Sequence, residues 1–225
     1  MAREQPEHMT PDFVLRQVRR PAEFIEELRS AYEAELARRD AFVDALTPDV
    51  KAEWINGQAV YRSPAREAHN AAVNGLATAL NNYSLNRTRL LVRIEKAMIA
   101  LAENRFEPDI CVWVAAHTEI APDTVLYPRP DLVVEVLSEK TRHRDLGDKR
   151  VEYGEAGTHE YWVVDADART LRQLVQRDGV FEEAHTYGVG EQVDSELLPD
   201  LELPIDAVFD FEALRAFGAR MFGAG

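Results

Sequence analysis

The order of a strand, a helix and a second strand between residues 131 and 165 is the feature that most constrains the fold. Residues 131–137 (DLVVEVL) place apolar side chains on both faces of the pleat, which is typical of a strand buried in a sheet. Residues 144–156 predict a helix that ends at Gly157, and residues 161–165 (YWVVD) predict the second strand. This order implies a right-handed crossover between parallel strands.

Further segments supply the rest of a mixed sheet. Residues 109–115 (DICVWVA) predict another buried strand, and residues 90–101 predict a strand of mixed apolar character. Asn-Gly at 56–57 and Asp-Gly at 178–179 each lie between alternating segments, which favours two hairpins. We therefore expect an α/β fold with a mixed β-sheet core flanked by helices.

An extra helix is predicted at the N-terminal end, over residues 21–40. Its apolar residues recur at four-residue intervals and form one stripe among charges: Phe24, Leu28, Tyr32 and Leu36. We expect this stripe to pack on the core or on a second subunit.

Composition indicates an ordinary globular protein. Of the 225 residues, 46% are hydrophobic and 29% are charged, which is unlike a disordered chain. No apolar run approaches the ~20 residues that cross a bilayer, and the N-terminus lacks the apolar centre of a secretory signal. The single cysteine, Cys111, cannot form an internal disulfide and is expected to be a buried thiol. We expect a cytoplasmic protein without a membrane partner.

Charge is distributed unevenly along the chain. The formal net charge of −14 argues against a general nucleic-acid coat protein. Residues 191–212 carry eight acidic residues and no lysine or arginine, so we expect this segment to lie away from any cleft that accepts phosphate. The arginines expected to border such a cleft are Arg62, Arg66, Arg87, Arg142 and Arg144.

Two carboxylates stand where core residues are expected. Asp109 opens one buried strand and Glu135 lies late in the next, so antiparallel pairing would bring them to the same end of the sheet. Carboxylates there suit a hard divalent cation, although each could instead cap a turn or pair with an arginine. Asp131 lies four residues before Glu135, or ~13 Å along a strand, and is expected to be structural.

Three other residues allow both functional and structural interpretations. Lys149 falls on the helix face expected to meet the sheet, where its ammonium would reach a phosphate or a water, or else extend to solvent. His69 lies on the apolar face of a helix predicted over residues 66–85, as a hydrogen-bonded core residue or a catalytic one. Glu53, just before the first hairpin, is equally ambiguous.

These motifs resemble the Uma-two family of restriction-endonuclease-like proteins, a branch of the PD-(D/E)xK nucleases. The resemblance covers about residues 40–212 and implies three regions: an N-terminal helical extension (1–40), a nuclease-like domain (41–212) and a C-terminal tail (213–225). The matching stretches are residues 53–57 (EWING), 63–64 (SP), 67–70 (EAHN), 107–110 (EPDI), 130–138 (PDLVVEVLS), 144–150 (RDLGDKR), Tyr153, 157–165 (GTHEYWVVD) and 198–203 (LPDLEL).

The resemblance implies a restriction-endonuclease-like fold and a metal-dependent phosphodiesterase. Pro108-Asp109 matches the PD element and Glu135 the second acidic element, but Leu137 stands where the (D/E)xK lysine would be. Lys149, from the next helix, is expected to supply that ammonium.

By the same resemblance, the implied ion is Mg²⁺ or Mn²⁺, held by the Asp109 and Glu135 carboxylates and the backbone carbonyl of Val136. Glu53 and His69 are expected to contact a second metal ion or a phosphate.

The expected function is that of a DNA endonuclease acting as a homodimer on DNA. One alternative is a non-catalytic module that binds nucleic acid or protein on the same scaffold. Another is a phosphodiesterase that acts on a substrate other than DNA.

Overall fold

The computed structural model describes residues 10–47, 49–116 and 118–223. The helices are α1 (Pro11–Gln17), α2 (Pro21–Ala45), α3 (Glu67–Asn86), α4 (Arg142–Leu146), α5 (Asp148–Glu155), α6 (Asp206–Phe209) and α7 (Phe211–Gly223). The strands are β1 (Ala52–Ile55), β2 (Gln58–Tyr61), β3 (Leu90–Ile94), β4 (Met98–Ala100), β5 (Arg105–Phe106), β6 (Ile110–Val114), β7 (Leu126–Tyr127), β8 (Leu132–Val136), β9 (Glu160–Asp165), β10 (Thr170–Arg177), β11 (Val180–Tyr187), β12 (Gln192–Val193) and β13 (Leu203–Pro204).

A six-stranded mixed sheet forms the centre of the molecule, in the order β11-β10-β9-β8-β6-β3. Strands β8 and β9 pair in parallel, and the chain between them forms α4 and α5. The other four pairings in this sheet are antiparallel. The strand–helix–strand unit predicted between residues 131 and 165 is therefore confirmed.

A second, five-stranded sheet has the order β2-β1-β5-β4-β7. Its β1–β2 hairpin turns at Asn56 and Gly57, which both have positive φ (49° and 77°), as an Asn-Gly turn of this kind requires. The prediction of one strand over residues 90–101 is wrong, because β3 and β4 belong to different sheets. Glu95, with φ of 57°, follows the last residue of β3 that pairs with β6, and β4 then pairs in the same antiparallel sense with β5.

The crossover between β8 and β9 is also divided. The single helix predicted over residues 144–156 is two helices, α4 and α5, which meet at Gly147. A Cβ at Gly147 would lie 2.7 Å from the carbonyl oxygen of His143, so a side chain there would clash with the backbone. Gly157, with φ of 83°, follows α5 as the predicted stop.

The central sheet has a hydrophobic core on each face. Side chains of α3, α6 and α7, including Leu76, Val208 and Phe217, pack against one face. The other face meets α5 and the five-stranded sheet through residues such as Tyr153 and Phe106. Successive residues of a strand point to opposite faces. In β6, accordingly, Ile110, Val112 and Val114 join the first core, whereas Cys111 and Trp113 join the second.

The apolar stripe of α2 is only partly covered. Near the end of the helix, Phe42 is buried in a small cluster with Trp54 and Met98. Leu28 and Tyr32, however, remain 52% and 49% exposed. These two residues do not pack on this chain's own core, although α2 does so through Phe42, and packing of the stripe on a second subunit stays a prediction. Among the described residues, no helix is both long and apolar enough to span a membrane.

Candidate active-site cleft

Asp109 and Glu135 meet at one end of the central sheet. Strands β6 and β8 are antiparallel, and Ile110 pairs with Val134, so the next pair outward is Asp109 with Glu135. A carboxylate oxygen of Asp109 accepts a hydrogen bond from the backbone N–H of Val136 at 2.8 Å. Asp109 lies two residues before Cys111, and Glu135 lies two residues after Val133, so each acid points to the same face of the sheet as its neighbour. That face is the one covered by α5.

Asp131 lies at the opposite end of β8. Its carboxylate accepts the backbone N–H of Val114 at 2.8 Å and lies 3.6 Å from the Arg129 guanidinium. These contacts hold strand ends together, as expected of a structural residue.

Lys149 projects from α5 onto the sheet and is fully buried. Its Nζ lies 2.6 Å from Glu135 Oε1 and 2.7 Å from Glu53 Oε1. Asp145, one turn earlier on α4, has Oδ1 3.4 Å from the same nitrogen. The ammonium also lies 5.7 Å from the centre of the Phe106 ring. The alternative in which Lys149 extends to solvent is therefore wrong.

Arg62 and Asp145 complete this buried cluster, and sequence reasoning assigned neither of them to it. Glu53 Oε2 accepts hydrogen bonds from the Arg62 guanidinium at 2.5 and 2.9 Å, and Oε1 accepts the N–H of Glu107 at 3.0 Å. Asp145 lies 4.0 Å from Arg62, and neither of its buried oxygens has a hydrogen-bond partner among the described residues. In the sequence, only the four-residue spacing between Asp145 and Lys149 could have indicated that these two side chains lie close together.

The charges in the cluster do not balance. Glu53, Glu135 and Asp145 face two cations, Lys149 and Arg62. Burial raises the pKa of Glu135 to about 8, although Lys149 opposes this and the other carboxylates add to it. Burial favours neutral forms of Lys149 as well, but Glu135, Glu53 and Asp145 raise its pKa above the ordinary value. The cluster therefore keeps its lysine charged and tends to bind one proton on a carboxylate.

The outer side of Asp109 faces a second group of charges. Asp109 Oδ1 lies 2.9 Å from Lys51 Nζ and 3.5 Å from His69 Nε2. The Lys51 ammonium also lies 3.5 Å from Glu95. Burial would raise the pKa of Asp109, but hydrogen bonds to His69 and Lys51 lower it below its ordinary range. One ligand atom each from His69, Glu95 and Asp109 lie within 4.8 Å of one another, a spacing that suits a single cation.

These residues open onto a cleft between the β1–β2 hairpin, the start of α3 and the loop after β8. Its charged lining residues are Lys51, Arg62, Arg66, Lys140, Asp49, Glu95, Asp109, Glu139 and Asp167. The predicted basic border is only partly present, because the residues lining the cleft include Arg62 and Arg66 but not the other three arginines.

The positions of these arginines explain the difference. Arg87 follows the last residue of α3, about 30 Å from the helix start at a rise of ~1.5 Å per residue. Arg142 pairs with Asp165 at 3.2 Å, and Arg66 pairs with Asp167 at 3.0 Å. The acidic segment 191–212 contributes no lining residue and packs its apolar side chains into the core on the α3 side, as expected.

Comparison with known proteins gives one family and one fold. A family model described as "Putative restriction endonuclease", Uma2, matches residues 39–206. A similar solved structure is that of "a putative nuclease belonging to DUF820" from Anabaena variabilis ATCC 29413, with a TM-score of 0.65 and 17% sequence identity. The match covers 78% of this chain and 97% of that chain. No curated protein matches the chain.

At 17% sequence identity, the likeness to the DUF820 structure shows only a shared fold. The mixed sheet flanked by helices agrees with that fold. The family model spans most of the chain, from the end of α2 to residue 206 within the acidic segment. The expected restriction-endonuclease-like fold is thereby confirmed, and the chain belongs to the Uma2 (Uma-two) family.

Proposed function

We propose that this protein is a divalent-metal-dependent DNA endonuclease. The observation that carries the proposal is the juxtaposition of Asp109 and Glu135 at one sheet end, with the Lys149 ammonium in contact with Glu135. The Uma2 family and the nuclease-like fold support phosphodiester hydrolysis as the reaction.

The donors at this sheet end fit a hard divalent cation. Carboxylate and backbone carbonyl oxygens are the ligands that Mg²⁺ and Mn²⁺ prefer. Asp109 already attracts the Lys51 ammonium on its cleft side, which shows that positive charge is favoured there. Asp109, Glu135 and the Val136 carbonyl would hold the ion. When bound, a divalent ion lowers the pKa of a water molecule and neutralises charge on a phosphate.

Lys149 has the environment of a positioning and charge-stabilising group. Glu53 and Asp145 hold its ammonium independently of Glu135, so Lys149 stays in place if Glu135 takes another partner. Lysine has three donors, and one of them is then free for a water or a phosphate oxygen. His69 faces the same oxygen of Asp109 from the cleft side, where it can contact a phosphate.

Cations along the cleft would meet the DNA backbone. Lys140 and Arg66 lie among the lining residues and are exposed. Each phosphate neutralised by such a side chain releases counterions, so binding should weaken as salt rises.

A plasmid-nicking assay tests the proposal. Supercoiled DNA should be nicked with Mg²⁺ or Mn²⁺ and not with EDTA. Glu135→Gln and Asp109→Asn should lower the rate at least about 100-fold, the scale of losing one electrostatic stabiliser in an active site. Glu182→Gln, an exposed acid-to-amide change on β11, should retain the parent rate. Equal nicking by parent and Glu135→Gln proteins would contradict the assignment.

A non-catalytic binding module is the second candidate, and the ion pairs favour it. Lys51 neutralises Asp109, and Lys149 neutralises Glu135, so the acids have structural partners without a metal. Under this alternative the folded parent protein would shift DNA in a gel but leave it intact with both ions. Metal-dependent nicking that Glu135→Gln abolishes would rule it out.

We also propose that the protein acts as a homodimer. A two-fold dimer presents one cleft to each strand of a duplex, and the exposed Leu28 and Tyr32 of α2 are free to pack on a second copy. Sedimentation equilibrium should give twice the chain mass of 25.5 kDa. A monomer at all concentrations would contradict this.

A further inference from the structure

Tyr61, the last residue of β2, is an aromatic residue without a partner on the wall of the cleft. It is 68% exposed and lines the same cleft as Asp109. Among the described residues it has neither a hydrogen bond nor a ring contact. The other six tyrosines each have one or the other: Tyr32, Tyr83, Tyr127, Tyr153, Tyr161 and Tyr187. Tyr61 therefore offers a free aromatic face to a molecule that enters the cleft.

The β1–β2 hairpin holds Tyr61 close to the acids at the sheet end. Tyr61 pairs with Ala52, and the next residue outward, Lys51, accepts the backbone N–H of Arg62 at 2.9 Å. The Lys51 ammonium in turn lies 2.9 Å from Asp109. A nucleic-acid strand with a phosphate at Asp109 would therefore have a base in the same cleft as the Tyr61 ring.

The charges of the cleft do not suit a DNA duplex. Its lining includes four lysines and arginines and five acids, and three of the cations are already paired with carboxylates: Lys51, Arg62 and Arg66. A duplex carries one negative charge per ~1.7 Å of its axis, so its binding normally relies on many free cations. This cleft offers too few of them, and affinity for nucleic acid has to come from another kind of contact.

A stacked base is the contact that Tyr61 can make. Nucleobases stack on aromatic side chains with little regard for sequence. Inside a duplex, however, a base must leave the stack before a protein side chain can cover its face. The cleft has a volume of about 720 Å³, within the range of ~300–1,000 Å³ that encloses single small-molecule ligands. It can therefore enclose an unpaired nucleotide.

We propose that the cleft takes single-stranded or locally unpaired DNA, and that Tyr61 stacks on a base close to the scissile phosphate. Stacking supplies the affinity that the few free cations do not. This inference deepens the proposed function and rests on it for the choice of DNA as the ligand. A homodimer would then act on a duplex only where base pairs are open.

DNA binding by the full chain tests the inference without cleavage. Fluorescence anisotropy is measured with a labelled strand of about 20 nucleotides, longer than the ~4–16 that one single-strand-binding domain covers. Ca²⁺, which also binds oxygen ligands but with looser geometry, replaces Mg²⁺, and a gel verifies that the DNA stays intact. The single strand should bind at least about tenfold more tightly than the matching duplex, because opening base pairs costs free energy.

Tyr61→Ala should weaken binding of the single strand at least about fivefold, the lower limit for losing one stacked base. Its effect on the duplex should be less than about twofold, since paired bases do not reach the ring. Tyr61→Phe, which keeps the ring, should stay within about twofold of the parent on the single strand. Phe222→Ala is the matched control, because Phe222 is also exposed (57%) but lies on α7 and does not line the cleft. It should leave binding unchanged.

Two outcomes would overturn the inference. One is a Tyr61→Ala protein that is folded by circular dichroism and binds the single strand as tightly as the parent. The other is a parent protein with equal affinity for the strand and the duplex.

The nuclease function can fail separately. A parent protein that binds the single strand through Tyr61 but nicks no plasmid would refute cleavage and leave the inference standing. Plasmid nicking that Glu135→Gln abolishes, together with unchanged binding in Tyr61→Ala, would refute the inference alone.

Discussion

Replacement of Lys149 by methionine should destabilise the protein severely. The ammonium is fully buried, within 2.7 Å of both Glu135 and Glu53 and 3.4 Å from Asp145. Methionine keeps most of the volume but removes the charge, so three buried carboxylates would retain only Arg62. Removal of one partner from a buried ion pair typically costs ~3–5 kcal/mol. We expect a loss of this size in the free energy of unfolding at pH 8.

The loss should depend on pH in a defined direction. Without Lys149 the pKa values of the neighbouring carboxylates rise further, because no ammonium offsets their burial. As the pH falls from 8 to 5, the folded variant binds protons on these carboxylates while the unfolded chain remains mostly ionised, so the missing cation matters less. The difference from the parent should therefore shrink between pH 8 and pH 5.

Urea unfolding of the metal-free protein, followed by tryptophan fluorescence at both pH values, measures this. Lys140→Met, which removes an exposed ammonium, should stay within about 0.5 kcal/mol of the parent. Addition of Glu135→Gln to Lys149→Met should recover part of the loss, since it removes one unpaired carboxylate. A loss in the free energy of unfolding below ~1 kcal/mol, or a loss that is the same at both pH values, would contradict the conclusion that Lys149 compensates the buried carboxylates. Lys149→Arg, which keeps the charge, is then the suitable variant for nicking assays.

Three further predictions concern the rest of the core. Burial raises the pKa of Glu135 to about 8, so the folded chain holds more protons than the unfolded one between pH ~4.5 and ~8. The free energy of unfolding should therefore fall as the pH rises through this window. Glu135→Gln should make this fall smaller. A Cβ at Gly75 would lie 2.4 Å from the Val208 carbonyl oxygen, so Gly75→Ala should lower stability by ~1–3 kcal/mol in thermal melts, whereas Gly223→Ala, with free space around it, should not. Burial raises the pKa of the Cys111 thiol well above its ordinary value, so a thiol reagent should label it only in denaturant; rapid native labelling would contradict its burial.

The sequence predicts best where a local pattern and a topological rule agree. The apolar run along residues 131–137, followed by a helix and another buried strand, predicted the parallel β8–β9 pair. Antiparallel pairing of two buried strands placed Asp109 and Glu135 at one end of the sheet, and helical spacing placed Lys149 over the sheet. Each of these inferences needs only a period of two or of 3.6 residues.

Features set by contacts between distant segments were not predictable in this way. The split of residues 90–101 into β3 and β4 depends on which sheet each half joins, and residue spacing carries no information about that. Arg62 enters the site because a hairpin turns it toward Glu53, nine residues earlier. Glu95 enters through the interruption between β3 and β4, which the single-strand prediction did not include.

Carboxylates at a sheet end are not by themselves evidence for a metal ion, because a protein can supply its own cations. Here it supplies two, and they differ in kind. Lys149 is fully buried among three acids, so its removal leaves buried carboxylates without their nearest cation. Lys51 lies at the cleft, partly exposed, against Asp109 and Glu95. Exchange of a built-in cation for a metal ion therefore disturbs the buried ion pairs least on the outer side of Asp109. This residue, bonded inward to β8 and outward to the cleft, is where the structural ion pairs end and a metal-binding function can begin.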